Sequence, residues 1–235
     1  MSVDERMVHD IVQKVMANMQ ISGSVSGMHG VFKDMNDAIN ASIEAQKKVC
    51  TMTLDQREQI ISLIRKKTHE NAEILANMGV NETGMGNVGD KILKHHLTAD
   101  KVPGTEDIST IAWSGDRGLT LVEMGPFGVI GAITPATNPS ETVICNCIGM
   151  LAGGNTVVFN PHPNAKKTTI YTINMINEAS IEAGGPDNIA VTVEAPTLDT
   201  SAIMMKHPSI HLLVATGGPG VVTAVLSSGK RAIGA

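Results

Sequence analysis

From Val129 onward, short runs of β-branched residues alternate with segments of helical character. The runs "VIGAIT", "TVVFN", "NIAVTVEA", "IHLLVAT" and the final "RAIGA" predict strands. Segments such as "SETVICNCIGMLA", with Ser140 as its N-cap, and "AKKTTIYTINMINEA" predict the helices between them. Because consecutive parallel strands need a crossover that is usually a helix, this alternation predicts an α/β fold with a doubly wound parallel sheet over residues 119–235.

Residues 31–118 predict a helical region ahead of that sheet. The expected helices span residues 34–50, 53–79 and 91–102. Thr53 or Asp55 is the expected N-cap of the second helix, and Gly79 its expected stop. The stretch "LTLVEMGPFGVIGAIT" then holds two β-rich runs around a Gly-Pro turn signal.

Residues 1–20 predict a separate amphipathic helix, and the Gly/Ser-rich residues 21–30 predict a flexible linker after it. Its apolar residues share one face at helical spacing: Val8, Ile11, Val12, Val15, Met16 and Met19. Two interpretations fit this pattern equally well. Either the helix folds back onto the core or onto a subunit partner, or it docks as a peptide into the groove of another protein.

The composition excludes several classes of protein. A net charge of −5 with 2% aromatic residues argues against a nucleic-acid-binding surface, which needs a basic stripe and stacking rings. No apolar run approaches the roughly 18 residues of a membrane-spanning helix. Three cysteines do not make a disulfide framework, and Cys145-Asn-Cys147 lacks the spacing of a zinc site. We therefore expect an intracellular protein without a metal centre.

The segment "GMGNVG", Gly84 to Gly89, matches the dinucleotide-binding letters G-x-G-x-x-G. That fingerprint requires a strand before it and a helix after it. A long predicted helix precedes the segment here, so a glycine-rich connection between helices is the favoured interpretation.

Better nucleotide candidates follow three of the predicted strands, as "TPATNP", "NPHPNA" and "TGGPG". The carboxyl ends of parallel strands meet at one edge of the sheet, which is where open α/β sheets bind ligands. Thr216-Gly217-Gly218 opens a helix, so its backbone N–H groups are suited to an anion. Each segment alone is typical of a plain turn, but three at one edge favour a nucleotide site.

The motifs "ITPATNP", "VVFNPHPNAKK", "LLVATGG" and "ETGMGNVGDK" resemble those of the CoA-acylating aldehyde dehydrogenases of bacterial microcompartments. The resemblance covers the whole chain but only about the first half of such an enzyme, and the chain stops at an apolar strand. It implies the nucleotide-binding portion of the aldehyde dehydrogenase fold, truncated before the catalytic domain. The implied reaction converts an aldehyde, CoA and NAD+ to an acyl-CoA and NADH.

The resemblance also implies roles for individual residues. NAD and CoA would bind at Thr134, Pro135, Ala136, Thr137, Asn160, Pro161, His162, Pro163, Thr216, Gly217 and Gly218. Thr134, Pro135 and Thr137 would shape the nicotinamide end, and Asn138 would contribute its amide N–H to an oxyanion hole. In the wider superfamily a lysine follows the second strand, where this chain has Asn160. Two residues after Asn160, His162 has two possible roles. It either contacts a phosphate or the ribose, or it is an exposed loop imidazole.

In the resembled enzymes a cysteine thiolate attacks the aldehyde, and that cysteine lies beyond the end of this chain. None of Cys50, Cys145 and Cys147 matches it, and we expect Cys145 and Cys147 to serve packing. The N-terminal helix resembles an encapsulation peptide that docks to shell or core proteins of the microcompartment, which favours the docking interpretation. A homo-oligomer is implied as well, with "LTLVEMGPF" forming part of its arm.

Two other hypotheses remain from the sequence. The chain is either a non-catalytic protein that binds a nucleotide or docks to a shell, or another enzyme of the superfamily, such as a phosphate-coupled semialdehyde dehydrogenase. The N-terminal helix and the "NPHP" segment argue against the second hypothesis.

Overall fold

The computed structural model describes residues 27–235. The predicted N-terminal helix and most of the linker lie outside this range, so their interpretation stays a prediction. Within the described residues, seven α-helices surround a parallel sheet, and a separate two-stranded hairpin follows the third helix.

The main sheet has six parallel strands in the order β1-β6-β5-β4-β7-β8. Their bounds are β1 (Val31–Phe32), β4 (Val129–Thr134), β5 (Thr156–Pro161), β6 (Ala190–Val193), β7 (Ile210–Ala215) and β8 (Arg231–Gly234). From β4 the chain first builds outward through β5 and β6, then returns to the other side of β4 with β7 and β8. The predicted doubly wound α/β sheet is therefore confirmed, and its strand order reverses beside β4.

Helices cover both faces of this sheet. Their bounds are α1 (Met35–Val49), α2 (Leu54–Thr83), α3 (Val88–Lys101), α4 (Pro139–Ala152), α5 (Lys166–Glu182), α6 (Leu198–Lys206) and α7 (Pro219–Leu226). Successive strand residues point to opposite faces: Val157 and Phe159 pack with α2, α4 and α5, whereas Val158 packs with α1 and α6. Burial on both faces explains why these strands are continuous apolar runs rather than alternating ones.

Two predicted helix boundaries are wrong. Helix α2 runs through Gly79 to Thr83 and ends at Gly84, whose φ of +68° is the left-handed conformation that favours glycine. Helix α4 begins at Pro139 with Asn138 as its N-cap, because the fixed φ of proline suits the first helical position. Ser140 therefore lies inside the first turn and does not cap the helix.

The hairpin joins β2 (Ile111–Gly115) to β3 (Gly118–Val122) in antiparallel pairing. The β-rich pattern of the sequence predicts the second of these strands but not the first. All ten hairpin strand residues are exposed, among them Trp113, Leu119 and Leu121. An apolar ribbon that is exposed along its whole length in the described chain is typical of a surface that another chain covers.

The connection between α2 and α3 contains "GMGNVG". Helix α2 rather than a strand lies directly before it, and Asn87 caps α3 through its side chain, which accepts the N–H of Asp90 at 2.9 Å. The interpretation of this segment as a link between helices is confirmed, and the dinucleotide interpretation is excluded.

Candidate functional site

The three polar strand-end segments meet at the point where the strand order reverses. Thr134 of β4 is paired with Pro161 of β5, and Ile133 with Ala215 of β7, so the strands end level with one another. The chain is held just beyond these ends as well, since the N–H of His162 donates to the Thr134 carbonyl and the N–H of Thr216 to the Ile133 carbonyl, each at 3.0 Å. The segments are thus rigidly placed around one crevice.

A cavity of about 360 Å³ occupies this crevice. All eleven residues expected at the cofactor site line it: Thr134, Pro135, Ala136, Thr137, Asn160, Pro161, His162, Pro163, Thr216, Gly217 and Gly218. Its size and mostly apolar wall are typical of a small-molecule pocket.

Sequence reasoning missed the side of the cavity that helices α6 and α7 form. The additional lining residues are Ile133, Thr197, Leu198, Ser201, Met205, Val221 and Ala224. Thr197, Ser201 and Met205 are spaced by four, so they share one face of α6. That spacing is the sequence signal that identifies them once α6 is known to border the crevice.

The wall of the cavity carries almost no charge. Its lining residues include no Asp, Glu, Lys or Arg, and His162 is the single titratable side chain among them. Thr134 is 1% exposed, and its Oγ1 has no hydrogen-bond partner in the described part of the chain. A buried hydroxyl without a partner is costly. This oxygen is closed to the cavity in the described chain, so a ligand can bond to it only after a small local shift.

Helix α7 begins at the rim of the cavity. It begins at Pro219 with Gly218 as N-cap, and no side chain of the described residues caps it. Few donors are free at this end, because Pro219 has no N–H and the N–H groups of Val221 and Val222 donate to the Gly218 carbonyl.

The expectation that the N–H groups of Thr216 and Gly217 face an anion is wrong, since they donate to the carbonyls of Ile133 and Ala235. The helix dipole of α7 still makes this end favourable for an anion.

Asn160 is occupied by structural bonds. Its Nδ2 donates to Ser201 Oγ at 2.7 Å and to the Thr197 carbonyl at 3.3 Å, and its Oδ1 accepts from Thr200 Oγ1 at 2.7 Å. The side chain is buried at 4% exposure and joins the end of β5 to α6. Asn160 therefore shapes the cavity wall, and its amide is not free to take the role of a ribose-binding lysine.

Asn138 lies next to the cavity rather than in its lining. It follows Thr137 and caps α4, and its Oδ1 accepts from Lys94 Nζ of α3 at 3.3 Å. With the oxygen held by an ammonium group, the amide N–H₂ is left as the donor end of the side chain. This orientation suits the donor role that an oxyanion hole requires.

A buried polar network supports the loop that carries Thr137 and Asn138. Lys91 and Glu141 form a buried ion pair at 3.3 Å, with side-chain exposures of 4% and 8%. Lys91 Nζ also donates to the Thr137 carbonyl at 2.9 Å. The pair is therefore a brace between α3 and the loop before α4.

His95 extends this network. Its Nδ1 lies 2.6 Å from the Lys91 carbonyl, which can only accept, so Nδ1 carries the ring proton. Nε2 then accepts from Ser140 Oγ at 2.7 Å. Burial, the largest cause, lowers the pKa of His95 and keeps the ring neutral, although Glu141 nearby acts in the opposite direction.

No cysteine lines the cavity. Cys147 is buried in the core, and that burial raises the pKa of its thiol well above the usual range, which makes it a packing residue as expected. Cys145 is exposed on the opposite side of α4, so the expectation that it also serves packing is wrong. Because residues two apart on a helix point in different directions, one cysteine of the pair had to face outward. Cys50 is exposed just after α1.

Three other features of the described residues bear on the choice of site. A wider hollow of about 760 Å³ lies between α2 and α5, but none of the strand-end residues contributes to it. Residues 27–235 contain no cluster of three metal-ligating side chains. Across that same range, no helix combines the length and the apolar character that membrane crossing requires.

Comparisons with known proteins agree with this geometry. The model of the aldehyde dehydrogenase family matches residues 17–234. The acetylating acetaldehyde dehydrogenase of Bilophila wadsworthia is 46% identical over 93% of this chain and 46% of its own length. A propionaldehyde dehydrogenase from the fucose utilisation microcompartment of Clostridium phytofermentans superposes with a TM-score of 0.86 at 73% identity, covering 88% of this chain and 48% of that one.

The propionaldehyde dehydrogenase of Rhodopseudomonas palustris, solved with bound propionyl-CoA, superposes with a TM-score of 0.85 at 49% identity and covers 88% of this chain and 46% of that one. The chain spans about half the length of the relatives that it matches. The resemblance to CoA-acylating aldehyde dehydrogenases drawn from the motifs is confirmed by these relatives. The chain belongs to the aldehyde dehydrogenase family.

Proposed function

We propose that this chain is the nucleotide-binding portion of a CoA-acylating aldehyde dehydrogenase that turns an aldehyde, CoA and NAD+ into an acyl-CoA, NADH and a proton. The observation that carries the proposal is the convergence of all eleven predicted cofactor residues on one cavity at the reversal of strand order. The uncharged wall and the unpartnered Thr134 hydroxyl support a nucleotide that brings its own polar groups.

Each part of the site has a task in this proposal. The bound nicotinamide supplies the hydride acceptor, and Thr134, Pro135 and Thr137 shape the pocket for it. The N-terminus of α7 faces the phosphates. Asn138 donates its amide N–H to the oxygen that becomes negative when a thiolate adds to the aldehyde, and Lys94 holds that amide in the donating orientation.

The proposal extends to partners and location. We infer a homo-oligomer whose contacts include the exposed apolar hairpin β2–β3. Residues 1–20 are proposed to dock the enzyme to shell or core proteins in the lumen of a cytoplasmic microcompartment. The similarity to a microcompartment propionaldehyde dehydrogenase supports this location.

A chimeric enzyme tests the catalytic part of the proposal. Residues 1–235 are fused to the remaining half of the Clostridium phytofermentans relative, and NADH formation is followed with propionaldehyde, CoA and NAD+. The chimera is expected to turn over, whereas residues 1–235 alone are not, because none of their cysteines lines the cavity. Asn138→Ala should lower kcat about 10²–10³-fold, while Asn164→Ala on the exposed loop should not. Turnover by residues 1–235 alone, or full activity of Asn138→Ala, would overturn the assignment.

A further inference from the structure

The end of β5 is the position where a doubly wound nucleotide site reads the adenosine ribose. In such folds an acidic residue after the second strand binds the ribose 2′-hydroxyl of NAD, and a basic residue accommodates a 2′-phosphate. Here β4 and β5 are the first two strands of the unit, and the residues at this position are Asn160, Pro161, His162 and Pro163. Neither the acid nor the arginine is present.

His162 is the polar group left for this task. The amide of Asn160 is bound to α6 on both of its ends, and the two prolines carry no donor. His162 lines the cavity and is exposed, so a ligand can reach it.

The local structure fixes which ring nitrogen carries the proton. Nδ1 of His162 lies 3.2 Å from the backbone N–H of Asn164. A backbone N–H can only donate, so Nδ1 is the acceptor and the proton of the neutral ring sits on Nε2. The side chain is therefore held as a hydrogen-bond donor, with its acceptor nitrogen already occupied.

The surroundings favour an anion at this donor. No carboxylate lines the cavity, so nothing there repels a phosphate, and no lysine or arginine competes with His162 for it. A hydrogen bond to a charged acceptor is stronger than one to a neutral acceptor. The donor of His162 should therefore bind a phosphate more strongly than a hydroxyl.

We propose that His162 is the residue that selects nucleotides with a phosphate on the adenosine ribose, by donating Nε2–H to that phosphate. The proposal rests on the proposed nucleotide function of the cavity. Two nucleotides carry such a phosphate on the adenosine ribose: CoA has it at the 3′ position, and NADP+ has it at the 2′ position. A ligand whose adenosine ribose carries only hydroxyls makes a weaker, neutral hydrogen bond at the same place.

Two substitutions separate the donor role from the structural role. Asparagine at position 162 keeps an acceptor near the place of Nδ1 for the Asn164 N–H, but its shorter side chain has no donor at the place of Nε2. Glutamine reaches the place of Nε2 with an amide N–H but loses the acceptor near the backbone. His162→Asn and His162→Gln are therefore matched variants with opposite losses.

Calorimetric titration of the 235-residue chain with CoA, 3′-dephospho-CoA, NADP+ and NAD+ tests the proposal. The wild type should bind the phosphorylated member of at least one pair about tenfold more tightly, which is typical of a hydrogen bond to a charged group. His162→Asn should reduce that ratio to about one, and His162→Gln should keep most of it. If only CoA binds more tightly than 3′-dephospho-CoA, the group recognised is the 3′-phosphate. If only NADP+ binds more tightly than NAD+, it is the 2′-phosphate.

Four outcomes overturn the proposal. If the affinity ratio of the phosphorylated to the unphosphorylated ligand is the same in the wild type and in His162→Asn, the imidazole does not bind the phosphate. A ratio lost in His162→Gln but kept in His162→Asn means that His162 only holds the loop. Failure of all four ligands to bind removes the proposed nucleotide function together with this inference, whereas binding without selectivity removes the inference alone.

Discussion

Thr134 is a residue at which the fold and the proposed ligand can be tested separately. Its hydroxyl is buried at the end of the central strand, and no described residue bonds to it. An unpaired buried hydroxyl destabilises the chain without a ligand and strengthens binding of a ligand that bonds to it. The two effects have opposite signs, so they can be separated experimentally.

Thr134→Val keeps the shape of the side chain and removes the hydroxyl. The free energy of unfolding of the ligand-free chain should stay the same or rise slightly, because the lost group had no partner. Nucleotide affinity should fall about three- to tenfold, the value of one ordinary hydrogen bond. Urea denaturation and calorimetric titration measure the two quantities, with Thr134→Ser as the control that keeps the hydroxyl. A variant that is clearly destabilised and binds normally would show that the hydroxyl serves the fold and not the ligand.

Helix α2 illustrates how two glycines in one element have different functions. Gly79 lies inside the helix with ordinary backbone angles, and an added Cβ would meet its nearest neighbour, Lys91, at 3.8 Å. Gly84 ends the helix at a φ of +68°, which side chains rarely adopt. The sequence pattern predicts Gly79 as the stop, although only Gly84 has that conformation.

Gly79→Ala should raise the free energy of unfolding by about 0.5–1 kcal/mol, because alanine favours a helix interior and its methyl group meets only ordinary contacts. Gly84→Ala should lower it by about 1 kcal/mol through the strained left-handed conformation. Parallel urea denaturation of the two variants gives both values. Equal shifts of the same sign would contradict the assigned end of α2.

The brace between α3 and α4 makes stability depend on pH through His95. Burial lowers the pKa of this ring below its unfolded value of 6.5, so the unfolded chain binds a proton more readily. The neutral ring contributes stability that is present above pH 6.5, the pKa of this histidine in the unfolded chain. That stability is lost as the pH falls below this value. His207, whose pKa is lowered by burial and then by Lys230, acts in the same direction.

The free energy of unfolding of the wild type should therefore fall between about pH 7.5 and pH 5.5, the range in which histidine gains its charge. His95→Gln should be less stable at neutral pH but show a shallower fall over the same range. Urea denaturation at four or five pH values gives the two slopes. Parallel slopes in both proteins would mean that His95 is not held neutral in the folded state.

Elements with a strong local signal could be predicted from the sequence, and the others could not. Strands β4 to β7 are β-branched runs bounded by turn residues, and their parallel order follows from the helices between them. Strand β1 has two residues, too few for any periodic pattern, and owes its place to pairing with β6. Strand β2 depends in the same way on its partner β3.

At the scale of the whole molecule, the position of the site was predictable because sheet topology determines it. Strand ends that follow one another in the sequence meet at one edge, so turn segments far apart in the chain lie around one cavity. The contribution of α6 was not predictable, since it depends on how that helix packs beside β5. Asn160 is a second example. Its place at a strand end predicts a contact to the ligand, but in the fold its amide bonds to Ser201 and Thr200 of α6.

Competition between two nucleotides for one cavity tests the central claim most directly. Calorimetric titration of the 235-residue chain should show one molecule of CoA or of NAD+ bound, because both nucleotides are proposed to occupy the one strand-end cavity. In chain saturated with CoA, the apparent affinity for NAD+ should fall in proportion to the free CoA concentration. Binding of NAD+ that CoA leaves unchanged, or no binding of either nucleotide, would contradict the assignment of the strand-end cavity as the nucleotide site.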